Sequence, residues 1–161
     1  IVSHTTRCEV GHDERMQTLT PTRRDHCAAT GGVQAALERA RSGLRRLTPQ
    51  EASAAVRRGA LLIDTRTSEQ RAVQGELPGA ICIDRTVLEW RLDPSGAHRI
   101  PEADDPDRII VVVCRQGYSS SLAAASLQSI GLRNATDMVG GFEAWAAAGL
   151  PVSRGPADVR R

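Results

Sequence analysis

The sequence predicts an α/β fold, a mainly parallel sheet flanked by helices, and three observations carry that expectation. Ile109-Ile110-Val111-Val112-Val113 is an apolar, β-branched run of the kind that fills a strand buried on both faces. Shorter strand-like segments recur at 60–64, 80–84 and 135–139. Segments with helix start and stop signals lie between them, and strands alternating with helices at this spacing make a parallel sheet.

The 161 residues suit one domain with a substantial core, plus a tail. One Phe, one Tyr and two Trp leave the core to Ala, Val, Leu and Ile. All 21 basic residues are arginine, a pattern that with the heavy use of alanine fits a high-GC coding bias. A net charge of +2 points neither to nucleic acid nor to an anionic membrane. No apolar run approaches a membrane span, and the first residues lack the apolar centre of a secretory signal. The four cysteines follow neither a disulfide framework nor a zinc pattern and suit a reducing cytosol, so a cytoplasmic location is expected.

Residues 1–32 mix His, Thr, Arg, Asp and Gly without periodicity and read as a disordered tail. Within it His4, Cys8 and His12 recur every four residues, with His26-Cys27 further on, but the spacing matches no zinc module and no metal is expected. Val33 to Arg46 sets Ala35, Ala36, Leu37, Ala40 and Leu44 among arginines, an amphipathic lead-in helix. The domain proper is expected over 47–152, with 153–161 a C-terminal tail. Thr48-Pro49-Gln50-Glu51 is an N-cap, first-turn proline and capping-box glutamate, and Gly59 stops that helix. Ala60 to Asp64 reads as a buried strand, Thr67 as the cap of a short helix, and Ala80 to Asp84 as a second strand. Arg85 to Trp90 suggests a helix, 93–107 a polar loop. Ala135 to Val139 is the last expected strand, followed by a Gly140-Gly141 turn and a helix from Phe142 to Ala148.

The organising stretch is the Ile109–Val113 strand, Cys114, a short loop, and then Ser119 to Ser121 leading into the Leu122–Ile130 helix, closed by Gly131. A cysteine at the carboxyl end of a buried strand sits where open α/β sheets bind their ligands. The loop and helix start turn N–H groups and the positive dipole end toward it, a cradle that favours thiolate and can hold an anion on sulfur.

Four segments in order then resemble the rhodanese (thiosulfate sulfurtransferase) family in its single-domain form. Leu62-Ile63-Asp64-Thr65-Arg66 resembles the strand ending in Asp-x-Arg, and Gly75-Glu76-Leu77-Pro78-Gly79-Ala80 the Gly-His-x-x-Gly-Ala turn, with Glu76 departing from the common histidine. Cys114-Arg115-Gln116-Gly117-Tyr118-Ser119 is similar to the six-residue active-site loop, and Val139 to Trp145 to the closing Gly-Gly-x-x-x-Trp segment. The resemblance implies a rhodanese-like three-layer fold and a sulfurtransferase without cofactor. In that chemistry Cys114 takes sulfane sulfur from a donor such as thiosulfate and passes it, as a persulfide, to cyanide or a thiol. A protein acceptor would make the chain a persulfide relay, and a non-catalytic interaction module is a third alternative.

On this reading Arg115 attracts an anionic donor. Gln116 belongs to the cradle, and Gly117 supplies a positive-φ turn or permits close approach of the substrate. Ser119 and Ser120 either donate to sulfur or cap the helix, and Tyr118 either rims the pocket or packs. Asp64 is expected to buttress the loop or its arginine, and Arg66 to form a structural ion pair. Arg85 and Arg91, flanking Trp90, are expected in surface salt bridges; Cys82 and Trp145 are expected in the core. A Cys-x5-Arg phosphatase loop needs a terminal arginine, whereas the sixth residue after Cys114 is Ser120.

Overall fold

A computed structural model describes residues 31–161; His4, Cys8, His12, His26 and Cys27 lie outside them. The chain runs α1 (Gly32–Ser42), α2 (Pro49–Arg57), β1 (Leu61–Asp64), α3 (Ser68–Gln74), β2 (Ile81–Ile83), α4 (Leu88–Leu92), β3 (Ile110–Val113), α5 (Ser119–Ser129), β4 (Ala135–Asp137), α6 (Gly141–Ala147) and β5 (Asp158–Arg160). The five strands are parallel, in the order β4-β3-β1-β2-β5. The β-branched run is an interior strand: all four β3 residues are buried, and they pair in register with Leu61–Asp64 on one side and β4 on the other.

Alternate side chains of these strands fill two cores, one on each face, as pleating requires. Ile63, Ile110 and Val112 face Leu88, Leu92, Ala123 and Leu127; Leu62, Val111 and Val113 face Ala52, Met138, Phe142 and Trp145. With few aromatics, alanines on α5 let that helix lie close to the sheet. Thr48 and Thr67 both close complete capping boxes, with Glu51 and Gln70. Among the described residues no helix is long and apolar enough to cross a membrane.

Four expectations are corrected. The lead-in helix ends at Ser42 rather than Arg46, because the following residues join the sheet side: the Thr136 hydroxyl donates to the Arg45 carbonyl and Leu47 bridges to Met138. The 153–161 segment is not simply a tail, since Asp158–Arg160 extends the sheet alongside β2. The Arg85–Trp90 helix is shifted to Leu88–Leu92; Asp84 accepts from the Thr86 amide and hydroxyl, holding that segment as a turn first. The Cys114 helix starts at Ser119, so all three serines lie in its first turn.

Candidate active site

Cys114 follows the last residue of β3 and is 6% exposed. The loop after it curls so that backbone amides converge on the sulfur: the Gly117 N–H donates to Sγ at 3.2 Å and the Ser120 N–H at 3.4 Å. The Ser120 hydroxyl shares a third hydrogen bond with Sγ at 3.2 Å. Burial alone would push the thiol up; the hydroxyls of Ser119 and Ser120, then the loop amides, outweigh it and hold the Cys114 pKa below that of an ordinary thiol. The N-terminus of α5 adds its dipole.

Gly117 makes this curl possible. Its φ is +76°, and a Cβ there would sit 2.7 Å from the Gly140 nitrogen and 3.0 Å from the Met138 carbonyl oxygen. The positive φ expected from the sequence is present, and the neighbouring backbone adds a second reason for glycine. The Gly140-Gly141 turn meets the loop from the other side, where a Cβ on Gly141 would lie 2.3 Å from the Cys114 carbonyl oxygen. The first amides of α6 then brace the loop: Phe142 N–H donates to the Cys114 carbonyl at 2.9 Å and Glu143 N–H to that of Arg115 at 3.1 Å.

The remaining predicted residues fall into distinct places. Arg115 and Gln116 are exposed and both reach Glu143, at 2.7 and 3.1 Å, which holds the Glu143 carboxyl below its usual range. Arg115 therefore carries a counter-charge that sequence reasoning did not anticipate. Tyr118 is 55% exposed, with the Arg41 guanidinium 5.6 Å from its ring centre. Asp64 makes no bond to the loop: it is fully buried and taken by Arg66, whose Nη2 lies 2.6 Å from Oδ2. Arg66 also donates to the Gly75 carbonyl and stacks 3.7 Å above the Phe142 ring. The pair thus ties the β1 end to α6 behind the loop, which supports the loop at one remove. Arg85 pairs with Glu89 at 2.8 Å; Arg91 donates to the His98 carbonyl.

Several contributors were not singled out from sequence. Asp137, at the end of β4 and fully buried, accepts from the Ser121 hydroxyl at 2.8 Å and from Ser120 at 3.3 Å. Arg46 clamps Asp137 with two bonds of 2.8 and 3.0 Å, and Arg41 and Arg46 both donate to the Gly117 carbonyl. An acid in a short strand expected to be buried was the available signal for Asp137; nothing local marks Arg41 or Arg46 among so many arginines.

Elsewhere, Asp64, Glu76 and Cys82 bring ligand atoms within 4.8 Å of one another. They make a poor metal site. Asp64 is committed to Arg66 and Glu76 to Arg71, while burial, then the Asp64 charge, push the Cys82 thiol up to about 11. Glu76, standing where the family commonly has histidine, thus makes a local ion pair. A cleft of about 440 Å³ bordered by Arg45, Arg58, Ile109 and Arg133 lies toward the opposite ends of β3 and β4 from Cys114.

Comparison with known proteins bears on the family and the fold. A thiosulfate sulfurtransferase, GlpE, of Haemophilus influenzae is 30% identical over 108 residues, covering 67% of this chain and 93% of the relative. A sulfurtransferase of Allochromatium vinosum is 37% identical over 92 residues, 57% of this chain and 77% of the relative. Among solved structures, a Rhodopseudomonas palustris protein of unknown function, described as a possible tyrosine phosphatase, superposes with a TM-score of 0.70 at 32% identity, covering 77% of this chain and 96% of that one. The family model described as the rhodanese-like domain matches residues 48–148, spanning every one of the four resembling segments, and the chain belongs to that family.

Proposed function

We propose that this protein is a sulfurtransferase that moves sulfane sulfur from thiosulfate, or another persulfide donor, through a Cys114 persulfide to a thiophilic acceptor such as cyanide or a thiol. The observation that carries the reading is the convergence of two backbone N–H groups and the Ser120 hydroxyl on one buried sulfur. The Cys114 thiolate attacks the outer sulfur of thiosulfate, the S–S bond breaks, and sulfite leaves with the bonding pair. The terminal sulfur of the resulting persulfide is anionic and needs the donors the thiolate used, so one cradle serves both halves of a ping-pong cycle. The acceptor then attacks that sulfur, and the Cys114 thiolate is the leaving group. No metal or cofactor takes part in either step.

A phosphatase reading, prompted by the Rhodopseudomonas protein, is the less favoured. None of the hydrogen-bond partners of Sγ among the described residues is a guanidinium, and Arg115 is turned to Glu143. A tetrahedral phosphate needs such a clamp. The free thiols Cys82 and Cys114 suit a reducing cytoplasm. The test is thiocyanate formation from thiosulfate and cyanide by the full chain. It should be abolished in Cys114→Ser and unaffected in Cys82→Ala, while release of phosphate from an aryl phosphate should stay at background. Phosphate release without thiocyanate formation would reverse the assignment.

A further inference from the structure

The segment before residue 48 lies outside the matched family region, yet it supplies two of the arginines that reach the active loop. We infer that Arg46 is a positioning residue for Cys114: by neutralising Asp137 it leaves the Ser120 hydroxyl free to donate to sulfur and keeps a bare buried carboxylate away from the thiolate.

The geometry carries the argument. Ser120 is fully buried; its hydroxyl donates to Asp137 Oδ2 at 3.3 Å and accepts from the Cys114 thiol at 3.2 Å, so once Cys114 ionises its one proton has two acceptors. The acceptor with the more uncompensated charge draws that proton. Arg46 satisfies both carboxylate oxygens of Asp137, and Ser121 donates to Oδ2 as well. Asp137 is therefore already the partnered half of an ion pair, and the Ser120 proton can go to sulfur. Without Arg46, a fully buried anion would stand one hydroxyl away from the thiolate; like charges this close disfavour ionisation, and the hydroxyl would turn toward the carboxylate. Arg46 Nη2 also donates to the Gly117 carbonyl at 3.2 Å, beside Arg41 at 2.8 Å, so the same segment steadies the residue whose N–H faces Sγ.

The other charged groups on the elements around the loop do not substitute. Asp64 and Arg66 pair at the end of β1, Arg115 pairs with Glu143 on α6, and Arg85 pairs with Glu89 beyond β2, with Asp84 turned to Thr86. Asp137 is the carboxylate joined to Sγ through a single hydroxyl, and Arg46 is its counter-ion.

The inference rests on Cys114 being the nucleophile proposed above, and the experiment separates the two. The pH profile of Cys114 alkylation by iodoacetamide, located by peptide mass mapping, is measured on the full chain and on Arg46→Met, Arg46→Lys, Asp137→Asn and the double variant Arg46→Met/Asp137→Asn. Arg46→Met should raise the midpoint by about one unit, a roughly tenfold loss of thiolate at pH well below both midpoints. Arg46→Lys should recover most of that loss. Asp137→Asn keeps an acceptor oxygen and removes the charge, so its midpoint should fall below that of the parent, and the double variant should return to the parent value or lower. A structural role alone would leave the double variant at least as impaired as Arg46→Met, which would overturn the inference; so would an unchanged midpoint in Arg46→Met. If Arg46→Met fails to fold, Asp137→Asn decides, because an unchanged or raised midpoint there contradicts the inference. Persulfide loading of the parent by thiosulfate is scored separately: its failure would count against the sulfur-transfer reading and leave the alkylation result standing.

Discussion

Replacing Gly117 with alanine should uncouple the nucleophile from its cradle. The residue sits at φ +76°, and the new Cβ would meet the Gly140 nitrogen at 2.7 Å, the Met138 carbonyl oxygen at 3.0 Å and the Gly141 nitrogen at 3.1 Å. All three are backbone atoms in a turn that is itself bonded to the loop, so none can swing aside as a side chain would. The left-handed conformation costs a non-glycine residue about 1 kcal/mol, and the overlap adds roughly 1–3 kcal/mol of overpacking. The loop can relieve the clash only by moving away from the Gly140-Gly141 turn, which carries the Gly117 N–H off Sγ from its present 3.2 Å. A hydrogen bond to a charged acceptor is worth about 1.5–3 kcal/mol, so the Cys114 pKa should climb by roughly 1–2 units. Urea unfolding should show a loss of about 2–4 kcal/mol, the sum of strain and overlap. The alkylation profile of the still-folded variant should shift by the stated amount. A folded Gly117→Ala protein with the parent's alkylation midpoint would refute the reasoning, because the amide would then not be what lowers the thiol.

Other perturbations probe separate parts of the structure. Arg66→Met leaves Asp64 buried without its counter-ion and should destabilise the domain by about 3–5 kcal/mol in urea melts, far more than an exposed arginine would; a loss below about 1 kcal/mol would show that the pair is not load-sharing with the core. Glu143→Gln frees Arg115, so KM for thiosulfate should fall by about two- to fivefold with kcat little changed, in steady-state thiocyanate assays; an unchanged or higher KM would show that Arg115 does not guide the donor. The rate of thiosulfate loading should rise with pH with its midpoint below that of an ordinary thiol, because the Ser119 and Ser120 hydroxyls and the loop amides outweigh burial and favour the Cys114 thiolate. Stability follows the same sign: between the native and unfolded pKa values the unfolded chain holds the extra proton, so stability rises with pH across that window and the gain is lost as pH falls through the native value. Melts of the parent against Cys114→Ala read that difference.

The parts of this architecture that local chemistry dictates could be read in advance. The β-branched run before Cys114 became a buried interior strand of the sheet, the Thr48 capping box closes as its spacing predicted, and Thr67 caps its helix. The positive φ of Gly117 was equally readable, since a tight loop between a buried strand and a helix leaves few other uses for a glycine. What escaped is what depends on partners far along the chain. Arg46 and Asp137 are 91 positions apart, Arg115 and Glu143 28 apart, and neither pairing leaves a periodic or compositional trace. The same holds for β5, a short segment with two exposed residues that becomes a strand only because β2 offers it an open edge. The place of Asp64 at a strand end suggests a buttress for the loop or its arginine. A guanidinium two residues away, held in fork geometry, was the nearer partner.

The most direct measurement is intact-mass spectrometry of the purified full chain before and after thiosulfate, without reducing agent, beside Cys114→Ala. The account predicts a gain of one sulfur atom on the parent, absent from the variant and discharged by cyanide. A parent that gains no mass, or a variant that gains it equally, would contradict the claim that the Cys114 cradle carries a persulfide.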